Sequence, residues 1–208
     1  MDLFAHLAVE RGRLADSLDS LTEEEWNSPS LSAGWSTHVV TAHLVSIWEI
    51  SPAHFGLTLA RARSLDRAFD LSARGLAARL SPTQCVDSLR RHAHSRRTPP
   101  FLGVHASLTE VLVHGADILW PLGREWRPGV PALAEVLPWL VTRSPRGFLP
   151  RERLENLRFD ATDLGIEVGT GAPLRGDALS LITLALGRTT RVELVTGEGR
   201  DLLLERLR

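Results

Sequence analysis

The sequence predicts an α+β protein, in which a four-helix bundle over residues 1–125 precedes a small α/β domain over residues 126–208. The first part of the chain repeats apolar residues at helical spacing between polar turns. Roughly the last 55 residues instead alternate short strand-like and helix-like pieces. Between these parts, residues 131–141 are predicted to form a bridging helix that is interrupted by Pro138.

The predicted helices of the bundle have identifiable start and stop signals. Leucines recur at helical spacing over residues 2–20, and the segment TEEEW then opens a short turn. After the small-residue loop SPSLSAGW, Ser36 or Thr37 can cap the next helix, which carries His43. Further helical stretches are predicted over residues 54–80, 82–97 and 104–120, and the segment TPP ends the second of these.

The predicted C-terminal domain combines strands and helices. LRFDATD and GIEVG alternate apolar and polar residues with a period of two, which is typical of strands. GDALSLITLALGR predicts a helix that ends at Gly187, because glycine readily adopts the left-handed conformation of a helix end. RVELVTGEG predicts a strand and a turn, and RDLLLERLR predicts a terminal helix.

The composition argues against several classes of function. A chain of 208 residues with 43% hydrophobic and 24% charged residues can bury a core of its own. Its formal net charge of −1 gives no electrostatic argument for nucleic acid, whose binding proteins usually carry a basic stripe. The start MDLFAHLAVERGR lacks the features of a signal peptide, and no apolar run has the length of a membrane span. We therefore expect a cytoplasmic protein that has no membrane partner.

Three features of the sequence have more than one interpretation. Cys85, the single cysteine, lies in SPTQCVDSL, whose resemblance to the capped start of a helix favours a structural role over that of a nucleophile. The segment LRRHAHSRR is either a solvated helix face or an anion-binding site. Trp35 precedes the helix of His43 and can line a pocket. The arginines of LRRHAHSRR are Arg90, Arg91, Arg96 and Arg97.

The segment EVLVHGADILW places polar residues inside a helix that is apolar on both flanks. Glu110 and His114 are four residues apart, a spacing that lets two side chains of one helix reach the same ion. His43 is predicted to point into the bundle from another helix. Two imidazoles and one carboxylate form a His₂Glu set that suits zinc or a similar divalent ion and leaves a position open for water or substrate.

Two of these polar residues also have structural alternatives. His43 can be a core histidine that bonds to a backbone carbonyl, with no metal involved. Asp117 follows His114 by three residues and can either orient the imidazole of His114 or serve a surface or capping role.

Two separate segments of the chain resemble one known family. LTEEEWNSPSLSAGWSTHVVTAHL, together with EVLVHGADI further along, resembles the mycothiol-dependent maleylpyruvate isomerase family of the DinB-like metalloproteins. FDATDLGIEVGTGAPLRGDALSLITLALGRTT is similar to the second domain of that family. The resemblance implies that His43, Glu110 and His114 are the metal ligands. It also aligns the glycine and arginine that follow the family's C-terminal helix with Gly187 and Arg188, and we predict Arg188 as a catalytic residue that binds a substrate carboxylate.

The resemblance also implies a function. We expect a divalent metal, most simply zinc, and mycothiol or a similar thiol as the cosubstrate of a small-molecule substrate. The reaction would be isomerisation of a maleyl-type acid or S-transfer to an electrophile. Two other functions stay open: metal-assisted hydrolysis, with an activated water in the open position, and a metal-binding or interaction module without catalysis.

Overall fold

The computed structural model describes residues 2–99, 102–143 and 148–208 of the chain. The chain divides into two compact units, Met1–Arg127 and Pro128–Arg208. The first unit is helical, whereas the second contains a three-stranded sheet, and the predicted α+β class is therefore confirmed. Within the described ranges, no helix combines the length and the apolar character that a membrane span requires.

The described part of the first unit contains seven helices. They are α1 (Leu3–Asp19), α2 (Glu23–Asn27), α3 (Thr37–Glu49), α4 (Pro52–Ala62), α5 (Leu65–Ala77), α6 (Pro82–Arg91) and α7 (Gly103–Leu119). An isolated bridge pairs Pro29 with Ser36, and every strand of the described residues lies after residue 156. The prediction that strands are confined to the C-terminal third is confirmed.

Side-chain caps explain where most of these helices begin. The Asp2 carboxylate accepts a hydrogen bond from the Phe4 N–H at the start of α1. Four serine hydroxyls each accept from the backbone N–H three residues later, as is usual for a helix start. These caps are Ser36, Ser51, Ser64 and Ser81. Ser36 is thus the cap of α3, one of the two residues that the sequence offered.

Three predicted boundaries in this unit are wrong. The stretch 54–80 forms two helices, because Arg63 adopts the left-handed conformation (φ 56°) and Ser64 caps a new helix. The segment TEEEW forms helix α2, which a reciprocal capping box between Thr22 and Glu25 stabilises. The stretch 82–97 ends as a helix at Arg91.

Helices α3 and α7 lie next to each other in the interior of the first unit. Helix α1 packs against α6 and α7, α3 packs against α5, α6 and α7, and α4 packs against α5. Every residue from 106 to 120 is buried except Glu110, which is half-buried. A helix that is apolar on all sides is a central helix. Glu110 is therefore the one partly accessible residue of this stretch, and 36% of its side chain is exposed.

The second unit combines a small sheet with three helices in its described part. Its elements are α8 (Val130–Arg143), β1 (Leu157–Ala161), β2 (Ile166–Gly169), β3 (Ala172–Gly176), α9 (Ala178–Ala185) and α10 (Glu198–Arg206), with short 3-10 helices at Arg151–Arg153 and Val192–Leu194. The strand order is β2-β1-β3, with β2 antiparallel and β3 parallel to β1. Phe159 of β1 and the apolar face of α9 fill the core.

The second unit differs from the prediction at three points. Pro138 does not interrupt α8, which continues to Arg143. RVELVTGEG is not a strand, since only Thr196 makes a single bridge to Arg175 and Val192–Leu194 forms a 3-10 turn. Strand β3 was not predicted, because the sequence APLRG has no alternation and contains a proline, which an edge strand tolerates.

Candidate metal centre

Helices α3 and α7 bring together the three residues that the sequence offers as metal ligands. His43 lies in the middle of α3 beside the buried Leu44, and Glu110 and His114 are one turn apart on α7. The Nε2 atoms of His43 and His114 are each 3.1 Å from Oε2 of Glu110. All three potential ligand atoms lie within 4.8 Å of one another. The three side chains thus converge on one point, and their role as ligands remains a prediction.

The spacing of these atoms fits a small divalent ion. Ligand atoms about 2.0 to 2.1 Å from a tetrahedral zinc ion are about 3.3 Å apart. The two observed distances to the Glu110 oxygen are 3.1 Å each. Two imidazoles with one carboxylate are also the donor set of many catalytic zinc sites, which keep a further position for an exogenous ligand. The residues present therefore fit the metal that the sequence resemblance implies.

The charges around His114 favour a bound cation. Burial raises the pKa of Glu110, but the hydrogen bonds and charges of His114 and His43 outweigh it and hold that pKa well below its usual range. Burial lowers the pKa of His114, but hydrogen bonds to Asp117 and Glu110 outweigh it and raise this pKa to about 9. Two carboxylates thus flank one imidazole, which is an arrangement that stabilises positive charge.

Asp117 orients the imidazole of His114. Its carboxylate oxygen Oδ2 lies 2.9 Å from Nδ1 of His114 and also accepts the Ser32 hydroxyl at 2.8 Å. The Leu31 N–H donates to the backbone carbonyl of Asp117. A proton held on Nδ1 leaves Nε2 free to bind a metal. Because the side chain of Asp117 is fully buried, the alternative of a surface role is excluded.

Metal affinity should increase with pH through the neutral range. The pKa of His114 is raised to about 9, so the metal-free protein carries a proton there that a metal must displace. We expect the affinity for zinc to rise by about tenfold per pH unit between pH 6 and 8 and to level off near pH 9. Competition against a chromophoric chelator at several pH values measures this, and a pH-independent affinity would contradict it.

Aromatic rings surround the imidazole of His43. The ring centroid of Trp35 is 5.2 Å away, and that of Phe69 is 5.5 Å away in an edge-to-face arrangement. Phe55 packs against Phe69 in turn. These contacts place aromatic rings around His43 on the side of α5, and the suggestion that Trp35 lines a pocket remains a prediction.

Gly115 admits an indole ring next to His114. The Trp126 N–H donates to the carbonyl of Leu112 at 2.8 Å, and the ring lies directly over Gly115. A Cβ atom on residue 115 would lie 2.6 Å from Nε1 of Trp126, closer than real contacts allow. Packing against Trp126 therefore explains why residue 115 of α7 is a glycine.

Replacing Gly115 by alanine should destabilise the metal-free protein. The rigid, buried indole of Trp126 must shift to accept the methyl group, and overpacking of this kind costs about 1 to 3 kcal/mol. Thermal unfolding followed by circular dichroism measures the loss. Gly75→Ala is the matched control, since nothing lies within 4 Å of its Cβ position. Equal stability of both variants would refute the steric argument.

Two further candidate residues, Cys85 and Arg188, belong to other elements of the chain. Cys85 is fully buried, and burial together with the charge of Glu49 raises the pKa of its thiol to about 12. A thiol that stays protonated at neutral pH is not a nucleophile. Arg188 follows α9 in the second unit and donates to the Leu186 carbonyl at 2.9 Å. Its predicted role in substrate binding remains a prediction.

The arginines of LRRHAHSRR are exposed and partly neutralised. Arg90 forms ion pairs with Asp16 and Asp19, both at 3.0 Å. Arg96 pairs with Asp2. The structure thus favours a solvated face over an anion-binding site for these two residues.

Fold and site together describe a helix-rich α+β protein with a candidate centre for a divalent metal. The chain is similar in structure to crystallised mycothiol-dependent maleylpyruvate isomerase, with a TM-score of 0.60 and 14% identity over 96% of this chain and 94% of that one. A histidine-to-alanine mutant of mycothiol-dependent maleylpyruvate isomerase gives a TM-score of 0.57. No protein-family model and no curated protein sequence matches the chain. At this identity the similarity establishes the fold.

Proposed function

We propose that this protein is a metal-dependent enzyme that uses a low-molecular-weight thiol of the mycothiol type. The reaction is isomerisation of a maleyl-type acid or S-transfer to an electrophile. The observation that carries the proposal is the convergence of His43, Glu110 and His114, in a fold similar to that of a mycothiol-dependent isomerase. In this proposal the four helices of the DinB-like bundle are α1, α3, α6 and α7. Helices α1 and α3 each pack against both α6 and α7.

The residues of the chain have separate tasks in this proposal. His43, Glu110 and His114 hold the ion, most simply zinc, and Asp117 retains the proton on Nδ1 of His114. A divalent ion bound in this way lowers the pKa of a coordinated thiol, so that a thiolate is available at neutral pH. Arg188 binds a substrate carboxylate through its planar guanidinium group. The thiol comes from outside the protein, because Cys85 is buried.

The isomerisation requires no oxidant or reductant. The thiolate of the cosubstrate adds to the cis double bond that is conjugated with a carbonyl group, and the electron pair moves onto the carbonyl oxygen. Rotation about the new single bond followed by expulsion of the same thiolate gives the trans product. If the electrophile instead takes up a proton and keeps the sulfur, the product is a thioether. The same site thus serves either reaction.

The direct test measures turnover by zinc-loaded protein with mycothiol or a surrogate thiol. Loss of maleylpyruvate and of generic electrophiles is followed in parallel. We expect thiol-dependent turnover that Glu110→Ala abolishes and that Cys85→Ala preserves. His54→Ala, which changes an exposed histidine of α4, is the control for a histidine outside the cluster.

Three outcomes would contradict the proposal. If no thiol and electrophile pair reacts faster with the wild-type protein than with Glu110→Ala, the protein is not a thiol-dependent enzyme of this kind. Turnover that continues unchanged without thiol would identify a metal-assisted hydrolase instead. Tight zinc binding without any turnover would favour the non-catalytic metal-binding module.

A further inference from the structure

The two histidines of the candidate metal centre are held by different means. His114 receives its orientation from a buried carboxylate, that of Asp117. The His43 imidazole bonds to Glu110 and contacts the rings of Trp35, Phe69 and His114. Besides the Glu110 carboxylate at Nε2, ring packing therefore restrains the plane of His43.

Trp35 is itself fixed by a charged side chain. Its indole N–H donates to Oδ1 of Asp70 at 2.8 Å, across the interface between the loop before α3 and helix α5. Hydrogen bonds from Trp35 and then from Arg74 hold the pKa of Asp70 below its usual range, although burial opposes them. Asp70 is therefore a carboxylate at neutral pH, which accepts stronger hydrogen bonds than a neutral group.

A second contact connects the loop before α3 to helix α5. Arg74 donates to Oδ1 of Asp70 and also to the Gly34 carbonyl, both at 2.7 Å. The backbone of the loop is closed by bonds from the Ser30 and Trp35 N–H groups, to the carbonyls of Trp35 and Ser32. The hydrogen bond of the indole to Asp70 and the bonds of the loop backbone thus limit the positions that the indole can take beside His43.

From these contacts we propose that Trp35, fixed by Asp70, is a positioning residue for His43 and thereby determines how well the centre binds its metal. The proposal rests on the proposed function, because it requires a metal at His43, Glu110 and His114. Its physical basis is preorganisation: an imidazole that is already held in its binding orientation loses less conformational freedom when the metal binds.

The test compares metal binding by Trp35 and Asp70 variants of the full chain. Zinc affinity is measured by competition with a chromophoric chelator, and the visible absorption of the cobalt-loaded protein reports ligand geometry. We expect Trp35→Ala to weaken zinc binding by about tenfold or more and to shift the cobalt bands. Trp35→Phe keeps a ring but loses the N–H donor, and it should lose less zinc affinity than Trp35→Ala. Asp70→Ala should lose about as much zinc affinity as Trp35→Phe.

A double variant distinguishes positioning through Trp35 from a general effect on the fold. If Asp70 acts through the indole N–H, Asp70→Ala should cause no further loss in the Trp35→Phe protein. Trp48→Phe is the matched control, since Trp48 lies on the same helix as His43 and its indole N–H donates to Ser95. Circular dichroism of each metal-free variant establishes that the helices are retained.

The outcomes separate this inference from the proposed function. Wild-type zinc affinity and cobalt spectra in both Trp35→Ala and Asp70→Ala would overturn the positioning role and leave the metal site intact. If the wild-type protein binds neither zinc nor cobalt, the proposed function and the inference both fail. Should Trp35→Ala not fold, Trp35→Phe and Asp70→Ala decide the question, because Asp70 lies on the partly exposed side of α5.

Discussion

Replacing His43 by alanine is expected to abolish stoichiometric zinc binding while leaving the helical content of the protein largely intact. His43 is the ligand candidate on α3, whereas Glu110 and His114 both come from α7. Zinc sites in proteins use three or four protein ligands, so the two that remain do not make a stable site. We expect the affinity for zinc to fall by more than about a hundredfold. This exceeds the loss in metal affinity that follows when only a residue that orients a ligand is removed.

Alanine at position 43 is compatible with helix α3. Alanine has the highest helix propensity, and the helix keeps its Ser36 cap and its buried neighbours. Equilibrium dialysis with metal analysis gives the stoichiometry, and far-ultraviolet circular dichroism gives the helical content. His54→Ala should bind zinc like the wild type. One equivalent of zinc retained by His43→Ala would remove His43 from the ligand set and with it the proposed centre.

The part of this site that the sequence predicted lies on regular helices. Glu110 and His114 share one face of α7 because they are four residues apart, a consequence of helix geometry that needs no tertiary information. His43 was expected to point inward because apolar residues recur around it at helical spacing. Both predictions depend only on local periodicity, and the structure places all three side chains together.

Apart from Asp117, whose spacing from His114 already suggested an orienting role, the contacts that support the candidate ligands could not be predicted in this way. Ser32 contacts Asp117 across 85 positions of the chain, and Trp35 contacts Asp70 across 35. Ser32 and Trp35 both lie in the irregular loop before α3. The path of this loop is determined by tertiary hydrogen bonds and not by the periodicity of the sequence. The break at Arg63 was missed for a related reason, since arginine rarely adopts a positive φ and gives no local signal.

Removing the charge of Asp117, as in Asp117→Asn, is expected to weaken zinc binding by about ten- to a hundredfold near pH 8.5. The carboxylate of Asp117 accepts from His114 and from Ser32 while it is fully buried. An asparagine keeps the size of the side chain but not its negative charge. It can also turn its NH₂ group toward Nδ1, which would reverse the tautomer that leaves Nε2 available to the metal.

The loss in Asp117→Asn should become smaller as the pH falls. Of the interactions that raise the pKa of His114 to about 9, the hydrogen bond that His114 donates to Asp117 is the largest, so the variant should have a lower His114 pKa. A proton then competes less with the metal at pH 6, and this gain offsets part of the lost attraction. In the wild type, the affinity rises throughout the interval from pH 6 to 8, whereas in the variant the rise should level off earlier.

Zinc competition titrations at pH 6, 7 and 8.5 would test both parts of this prediction on the same samples. Asp66→Asn, which changes an exposed aspartate of α5, is the control for the loss of one negative charge from the protein. The variant and the control should differ in affinity at pH 8.5 and approach each other at pH 6. Parallel curves for Asp117→Asn and the wild type would mean that Asp117 does not act through the proton of His114. Identical curves would mean that it has no part in metal binding, and its burial beside His114 would then be a matter of packing alone.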